Sequence, residues 1–342
     1  MPVGHAEAMK SWIRYMLLTL SAFVVLAVGA FAAVIAFDSP KTPPVLAAGD
    51  SVPGMAQWNF AEMPRQSSVV ARDGAPLAYR LYPARADRAV VLVHGSSGSG
   101  LEMHKLAQAL QAAGATVYAI SLRGHGGSGT VNGDIAYKNQ LDDDLADFVK
   151  AAGLADKQAH RTLIGFSSGG AFALRTASGP NHGLFDAYLS ISPYIGQDSP
   201  TNKPNAGGWS SVAVPRLVAL AILDGFGLPW FQGLPVVHFA TAAKPDKNRT
   251  PVYSYRLVTG LHLSRDWRTE LARIREPTQI MIGSNDELFN ADRFPPLLQS
   301  LNPRIAVTVL PGPGHLNMIA DAGAVSMVAT MWRQMDDQAR GR

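Results

Sequence analysis

Cysteine is absent from the 342 residues, which excludes a disulfide framework, a thiolate metal site and a cysteine nucleophile. Charge is sparse as well. The 30 Lys and Arg against 26 Asp and Glu leave a formal net charge of +4, scattered along the chain. No basic run interleaved with aromatics offers a footprint, so nucleic acid is not expected as a partner. No internal repeat is visible.

One stretch lacks charge altogether. Residues 15–37 contain no Asp, Glu, Lys or Arg and are long enough to cross a hydrocarbon core as a helix. A transmembrane anchor is therefore expected over 15–37. Lys10 and Arg14 precede it while Asp38 and Lys41 follow, so the positive-inside bias puts residues 1–14 in the cytoplasm. The rest of the chain then lies on the periplasmic or extracellular side of the membrane. A cleaved signal peptide, with small residues at 33–36, is the competing reading, but the apolar stretch exceeds a usual h-region. Residues 38–65 carry Pro40, Pro43, Pro44, Pro53 and Pro64 and read as a linker.

From residue 66 to 342 the pattern is that of one domain. Segments 67–71 and 77–82 around Asp73-Gly74 read as a hairpin. Continuous apolar runs at 89–93, 115–122, 162–166 and 187–192 read as strands buried on both faces, separated by segments with helical spacing. The same rhythm returns with a helix near 266–274, a strand at 278–282, a helix ending near 301, a strand at 305–310 and a helix over 316–335. Strands alternating with helices imply an α/β fold, a mostly parallel sheet with helices on both faces. Between them, residues 196–262 are rich in Gly and Pro yet carry Trp209, Leu217, Leu220, Trp230, Phe231 and Phe239. An insertion that long and that apolar reads as a cap over a site.

The run at 162–166 stops at Gly165-Phe166-Ser167-Ser168-Gly169. A strand, a tight turn and a helix start are what a nucleophile elbow needs: the glycines flank the reversal where side chains would collide, and Ser167 stands at its tip. The helix N-terminus behind it aims the Ser168 N–H at any oxyanion formed nearby. A serine needs a base, and the base an orienting acid. Asp286 follows the strand at 278–282 and His315 the strand at 305–310, both at the strand ends where open α/β sheets place their chemistry. Glu287 and Asp292 are alternative acids further from the strand end. The chain order Ser, Asp, His suits this architecture.

Other motifs have plainer readings. Gly124-His125-Gly126-Gly127-Ser128-Gly129 has dinucleotide-loop spacing, but residues 130–134 do not start the helix such a loop requires. Asp142, Asp143, Asp144 and Asp147 read as a solvated helix face. His94 and His125 read as structural residues at loop bases.

The motifs His94-Gly95, Arg123-Gly124-His125-Gly126 with Ser128, Gly165 to Gly169, Gly283 to Asp286 and Gly314-His315 occur in that order. Through them the chain resembles the α/β-hydrolase superfamily, closest in motif style to its lysophospholipase and monoacylglycerol lipase-like members. The resemblance implies Ser167 as nucleophile, His315 as general base and then acid, and Asp286 as its orienter. It also implies an oxyanion hole from the backbone N–H groups of Ser168 and Ser96, with Ser97 as the alternative second donor. No metal or organic cofactor is needed. The implied substrate is a small-molecule ester with an apolar part. An amidase or aminopeptidase with the same triad is the alternative, with Asp198, Asp224 and Asp246 as candidates to hold a peptide terminus. A noncatalytic ligand-binding protein on this fold is the third reading.

Overall fold

The computed structural model describes residues 3–45, 59–155, 159–204, 208–241 and 248–341; Pro53 of the Pro-rich stretch and Asp246 lie outside them. The chain opens with one long helix, α1 (Val3–Phe37). It begins well before residue 15 because propagation past a formed nucleus costs little and residues 3–14 contain no proline. Its Met9–Phe37 part is long and apolar enough to cross a membrane, by length and composition.

The hairpin β1 (Gln66–Val70) and β2 (Pro76–Tyr82) turns through Gly74, whose φ of 83° is open to glycine at no steric cost. Then come β3 (Arg85–Val93), α2 (His104–Ala112), β4 (Ala115–Ile120), α3 (Gln140–Ala151), β5 (His160–Phe166), α4 (Ser168–Ser178) and β6 (Ala187–Ile191). The cap follows as β7 (Ser210–Val212), α5 (Val214–Gly225), β8 (Pro235–Phe239), β9 (Val252–Ser254) and α6 (Tyr255–Leu261). The domain closes with α7 (Trp267–Arg273), β10 (Thr278–Gly283), α8 (Phe294–Leu301), β11 (Ile305–Leu310), α9 (Asn317–Ala320) and α10 (Ala322–Arg340).

Eight strands form one sheet in the order β1-β2-β4-β3-β5-β6-β10-β11, in which only β2 runs against the others. This is the mostly parallel sheet expected from the alternation of strands and helices, in the α/β-hydrolase architecture that the motif resemblance implies. Because side chains alternate along a strand, β3 sends Val91 and Val93 into one core and Val90 and Leu92 into the other. The first core is shared with α3, α4, α7, α8 and the cap, the second with α2, α9 and α10. Each large apolar side chain fully buried there, such as Phe172 or Trp332, contributes roughly 1.5–3 kcal/mol.

Two local expectations change. The acids of α3 are not a solvated face: Asp144 is buried and holds Arg123 at 2.6 Å, Asp142 holds Arg175 at 2.7 Å, and Asp143 and Asp147 hold Arg72 at 2.8 and 3.0 Å. Their partners come from distant parts of the chain, so α3 is fastened by its polar side as well as its apolar one. The C-terminal helix is also two helices. Asp321 leaves helical geometry at ψ 132° and its carboxylate accepts the Ala324 N–H at 2.9 Å, capping α10 afresh.

Candidate active site

The strands β5, β10 and β11 end on the same edge of the sheet, and the three loops that follow carry the candidate residues Ser167, Asp286 and His315. At the end of β5 the chain must reverse into α4 within one residue. Ser167 takes that position at φ 53° and ψ −116°, a conformation rare for a residue with a side chain. Its neighbours explain how the turn closes: a Cβ on Gly165 would lie 1.9 Å from the Gly169 carbonyl oxygen, and one on Gly169 would lie 2.3 Å from that of His94. The Ser167 N–H is held by the Ile191 carbonyl at 2.8 Å.

Ser167 Oγ lies 3.1 Å from His315 Nε2, and His315 Nδ1 lies 2.8 Å from Asp286 Oδ2. All three residues are buried. The other Asp286 oxygen accepts the backbone N–H groups of Leu288 and Phe289 at 2.9 and 3.0 Å, which fixes the carboxylate against rotation. Burial pushes the Asp286 carboxyl up, but the hydrogen bond and charge of His315, with the Leu288 N–H, outweigh it, and the net direction is downward. The His315 ring packs between Phe166 and Phe289, with centroids at 4.8 and 5.4 Å. Of the alternative acids, Glu287 accepts the His315 backbone N–H at 2.6 Å, and Asp292 sits in the 3-10 turn Ala291–Arg293. Glu287 thus steadies the histidine loop while Asp286 meets the ring.

The loop after β3 carries Gly95, Ser96 and Ser97. The Ser97 N–H donates to Tyr253 Oη at 2.6 Å, whereas the Ser96 N–H has no acceptor among the described residues. Of the two serines, Ser96 is therefore the one with a backbone donor to offer. Tyr253 comes from β9 in the cap, and its hydroxyl also donates to His125 Nε2 at 2.6 Å. His125 Nδ1–H then donates to the Arg123 carbonyl at 3.1 Å. His94 is set the same way: the Leu122 N–H donates to its Nε2 at 3.1 Å and its Nδ1–H donates to the Gly95 carbonyl at 2.8 Å. Burial pushes His94 down to about 4 and His125 to about 3, so both are neutral scaffolding beneath the loop. The Gly124 to Gly129 turn closes on itself, Gly124 N–H to the Ser128 carbonyl at 3.0 Å, and leads into no helix before α3.

Two cap residues that reach the site, Tyr253 and His262, were not singled out by sequence. Neither sits in a motif, and the strand β9 that carries Tyr253 is only three residues long. Among the described residues no group of three or more His, Asp or Glu converges as metal ligands. A buried hydroxyl, imidazole and carboxylate in line, beside an uncommitted backbone N–H, can activate the hydroxyl and stabilise an adjacent oxyanion.

A family model described as serine aminopeptidase, S33, matches residues 84–318. No curated protein sequence matches significantly. Similar solved structures include a soluble variant of monoglyceride lipase from Saccharomyces cerevisiae in complex with a substrate analog, at 16% identity and TM-score 0.60, covering 86% of this chain and 99% of that one. A Paleococcus ferrophilus monoacylglycerol lipase is 18% identical at TM-score 0.56, covering 76% and 98%. A membrane phospholipase A described as a bacterial virulence factor is 17% identical at TM-score 0.56, covering 96% and 100%. At these identities the likeness is one of fold.

Proposed function

The chain belongs to the serine aminopeptidase S33 family, and from that premise we propose that it is a membrane-anchored serine hydrolase cleaving carboxylic esters with an apolar acyl or alkyl part. The observation that carries the reading is the hydrogen-bonded line Ser167 Oγ, His315, Asp286, at 3.1 and 2.8 Å. Ser167 attacks the ester carbonyl while His315 Nε2 takes its proton. The Ser168 and Ser96 N–H groups meet the oxyanion, and Asp286 stabilises the imidazolium. The intermediate collapses, the alcohol leaves with the proton from His315, and water activated by the same ring releases the acid from the acyl-enzyme.

Several features favour an ester over a peptide. An aminopeptidase needs an acid to hold the substrate ammonium, yet Asp198 is engaged by Trp267 Nε1 at 2.7 Å and Arg268 at 2.8 Å. Asp224 is likewise held by Lys138 and Gln232, both at 3.0 Å. The likeness to proteins named monoacylglycerol lipase and membrane phospholipase A favours an apolar ester as well. A noncatalytic role finds no support in a line with every member present.

The membrane placement draws on α1 and on its junction with the cap. Arg216 of α5 donates to the Ala36 carbonyl at 3.2 Å and its backbone N–H to Asp38 at 2.9 Å, while the Lys41 N–H reaches Ser211 at 3.0 Å. Beside that junction Val214, Val218 and Ile222 of α5, with Phe226 at its end, recur every fourth residue and are exposed. An apolar stripe of this kind suits a lipid surface better than water. The catalytic domain then stands on the periplasmic or extracellular side, facing its own bilayer.

The test is hydrolysis of p-nitrophenyl esters of increasing acyl length, with aminoacyl p-nitroanilides alongside, by the full chain and by Ser167→Ala. Ester turnover that disappears in the variant is expected. Anilide cleavage without ester cleavage would establish the peptidase instead.

A further inference from the structure

The cap also reaches the residues on which the proposed oxyanion hole is built. His262 follows the last residue of α6, and its Nε2 lies 3.0 Å from Ser168 Oγ. Ser168 Oγ is in turn hydrogen bonded to Ser96 Oγ. The two residues whose backbone N–H groups face the oxyanion in the reading above are therefore joined by their side chains across 72 positions of sequence, and the joint ends on the cap. The Tyr194 ring packs edge-on to the imidazole at 5.0 Å, which holds the plane of the ring.

Three properties make this joint a brace. Burial first, and the Arg175 charge second, push His262 down to about 4, so the ring is neutral at pH 7 with one donor and one acceptor nitrogen. A neutral imidazole and two hydroxyls can align head to tail, and such chains stiffen as each bond polarises the next. An isolated serine hydroxyl, by contrast, has three staggered positions, and Ser96 stands in a loop whose next residue, Ser97, holds a φ of 62°. Oxyanion donors work only within a few tenths of an ångström of their best distance.

We infer that His262 is a positioning residue for the oxyanion hole: through Ser168 Oγ and Ser96 Oγ it holds the two backbone donors at the spacing the oxyanion requires. A seated cap is then a condition for an assembled hole. The inference rests on the serine hydrolase reading, with His262 acting on the transition state and not on the ground state.

The test uses the full-length enzyme and a short p-nitrophenyl ester, with His262→Ala, His262→Gln, Ser168→Ala, Ser96→Ala and the double variant His262→Ala/Ser168→Ala. Both serine variants keep their backbone N–H groups. His262→Ala should lower kcat about tenfold with KM changed less than about twofold, the signature of an interaction made in the transition state. Affinity for a trifluoromethyl ketone, whose adduct with Ser167 carries the oxyanion, should fall by the same factor. His262→Gln, which can still hydrogen bond, should recover most of the loss, and the double variant should be no worse than the poorer single one. An unchanged kcat with a raised KM would overturn the inference, since His262 would then only line the pocket. So would losses that multiply in the double variant. If His262→Ala does not fold, the glutamine and serine variants carry the same comparison. Fluorophosphonate labelling separates the two levels: a folded wild type that neither labels at Ser167 nor turns over removes the hydrolase reading, whereas an active wild type with unaffected variants removes only the brace.

Discussion

The edge of the sheet and the cap place their side chains by different means. At the edge, Ser167, Asp286 and His315 stand where strands β5, β10 and β11 end, and backbone geometry leaves each little choice: the elbow closes only because Gly165 and Gly169 lack the Cβ that would strike a carbonyl oxygen. In the cap, Tyr253, His262 and Arg216 act at the ends of long side chains, and each position depends on a partner far away in sequence. Tyr253 meets Ser97 and His125, His262 meets Ser168, and Arg216 meets the end of α1. In the proposed reaction the edge supplies the reacting groups, and the cap steadies the donors around them.

The largest test of this division is at the edge. His315→Ala should lower turnover by roughly four to six orders of magnitude with the unfolding midpoint little changed, and Asp286→Asn by roughly three to four; steady-state kinetics beside a thermal melt reads both. Gly165→Ala should cost several kcal/mol, because a backbone carbonyl cannot move aside as a flexible side chain can. Soluble yield and urea denaturation check that loss.

Acid should loosen both regions together. His94, His125 and His262 are held neutral with folded values of about 4, 3 and 4, against about 6.5 in an unfolded chain. Between those values the unfolded state binds more protons, so stability falls as pH drops from about 6.5 toward about 4. The urea midpoint measured at pH 7, 5.5 and 4.5 should decline steadily.

Effects in the cap should be smaller. Tyr253→Phe removes the acceptor of the Ser97 N–H and the donor to His125 at once, and should cost about 1–3 kcal/mol of stability and lower kcat about tenfold. Smallest of all, Ile222→Ser on the exposed stripe should leave the melt and the turnover of a soluble short ester within about twofold, while lowering turnover of the same head group on a long chain held in vesicles several-fold. Equal effects on both substrates would place the stripe in water.

Much of the edge was legible from sequence because its signals are local. Continuous apolar runs marked β3, β5 and β6, the returning rhythm of strands and helices marked β10 and β11, and the glycines around Ser167 marked a turn that tolerates nothing larger. Asp286 and His315 could be named because each follows a strand directly. The contact that engages the Ser97 N–H and so favours Ser96 as donor was not legible, since it comes from the Tyr253 hydroxyl, 156 residues from Ser97. The cap was legible as an insertion but not as a three-stranded sheet with two helices, because β7 and β9 are three residues each, too short for alternation to register. The α3 acids misled for a related reason: Arg72, Arg123 and Arg175 reach them from other elements, and a helical wheel does not contain its partners.

The most direct measurement is peptide mapping of the full-length enzyme after reaction with a fluorophosphonate, run with wild type, Ser167→Ala and His315→Ala. One phosphonyl group on the peptide carrying Ser167 in the wild type, none in Ser167→Ala and a rate greatly reduced in His315→Ala is the predicted result. Ester turnover by a wild type that is labelled elsewhere, or that Ser167→Ala retains, would contradict the account.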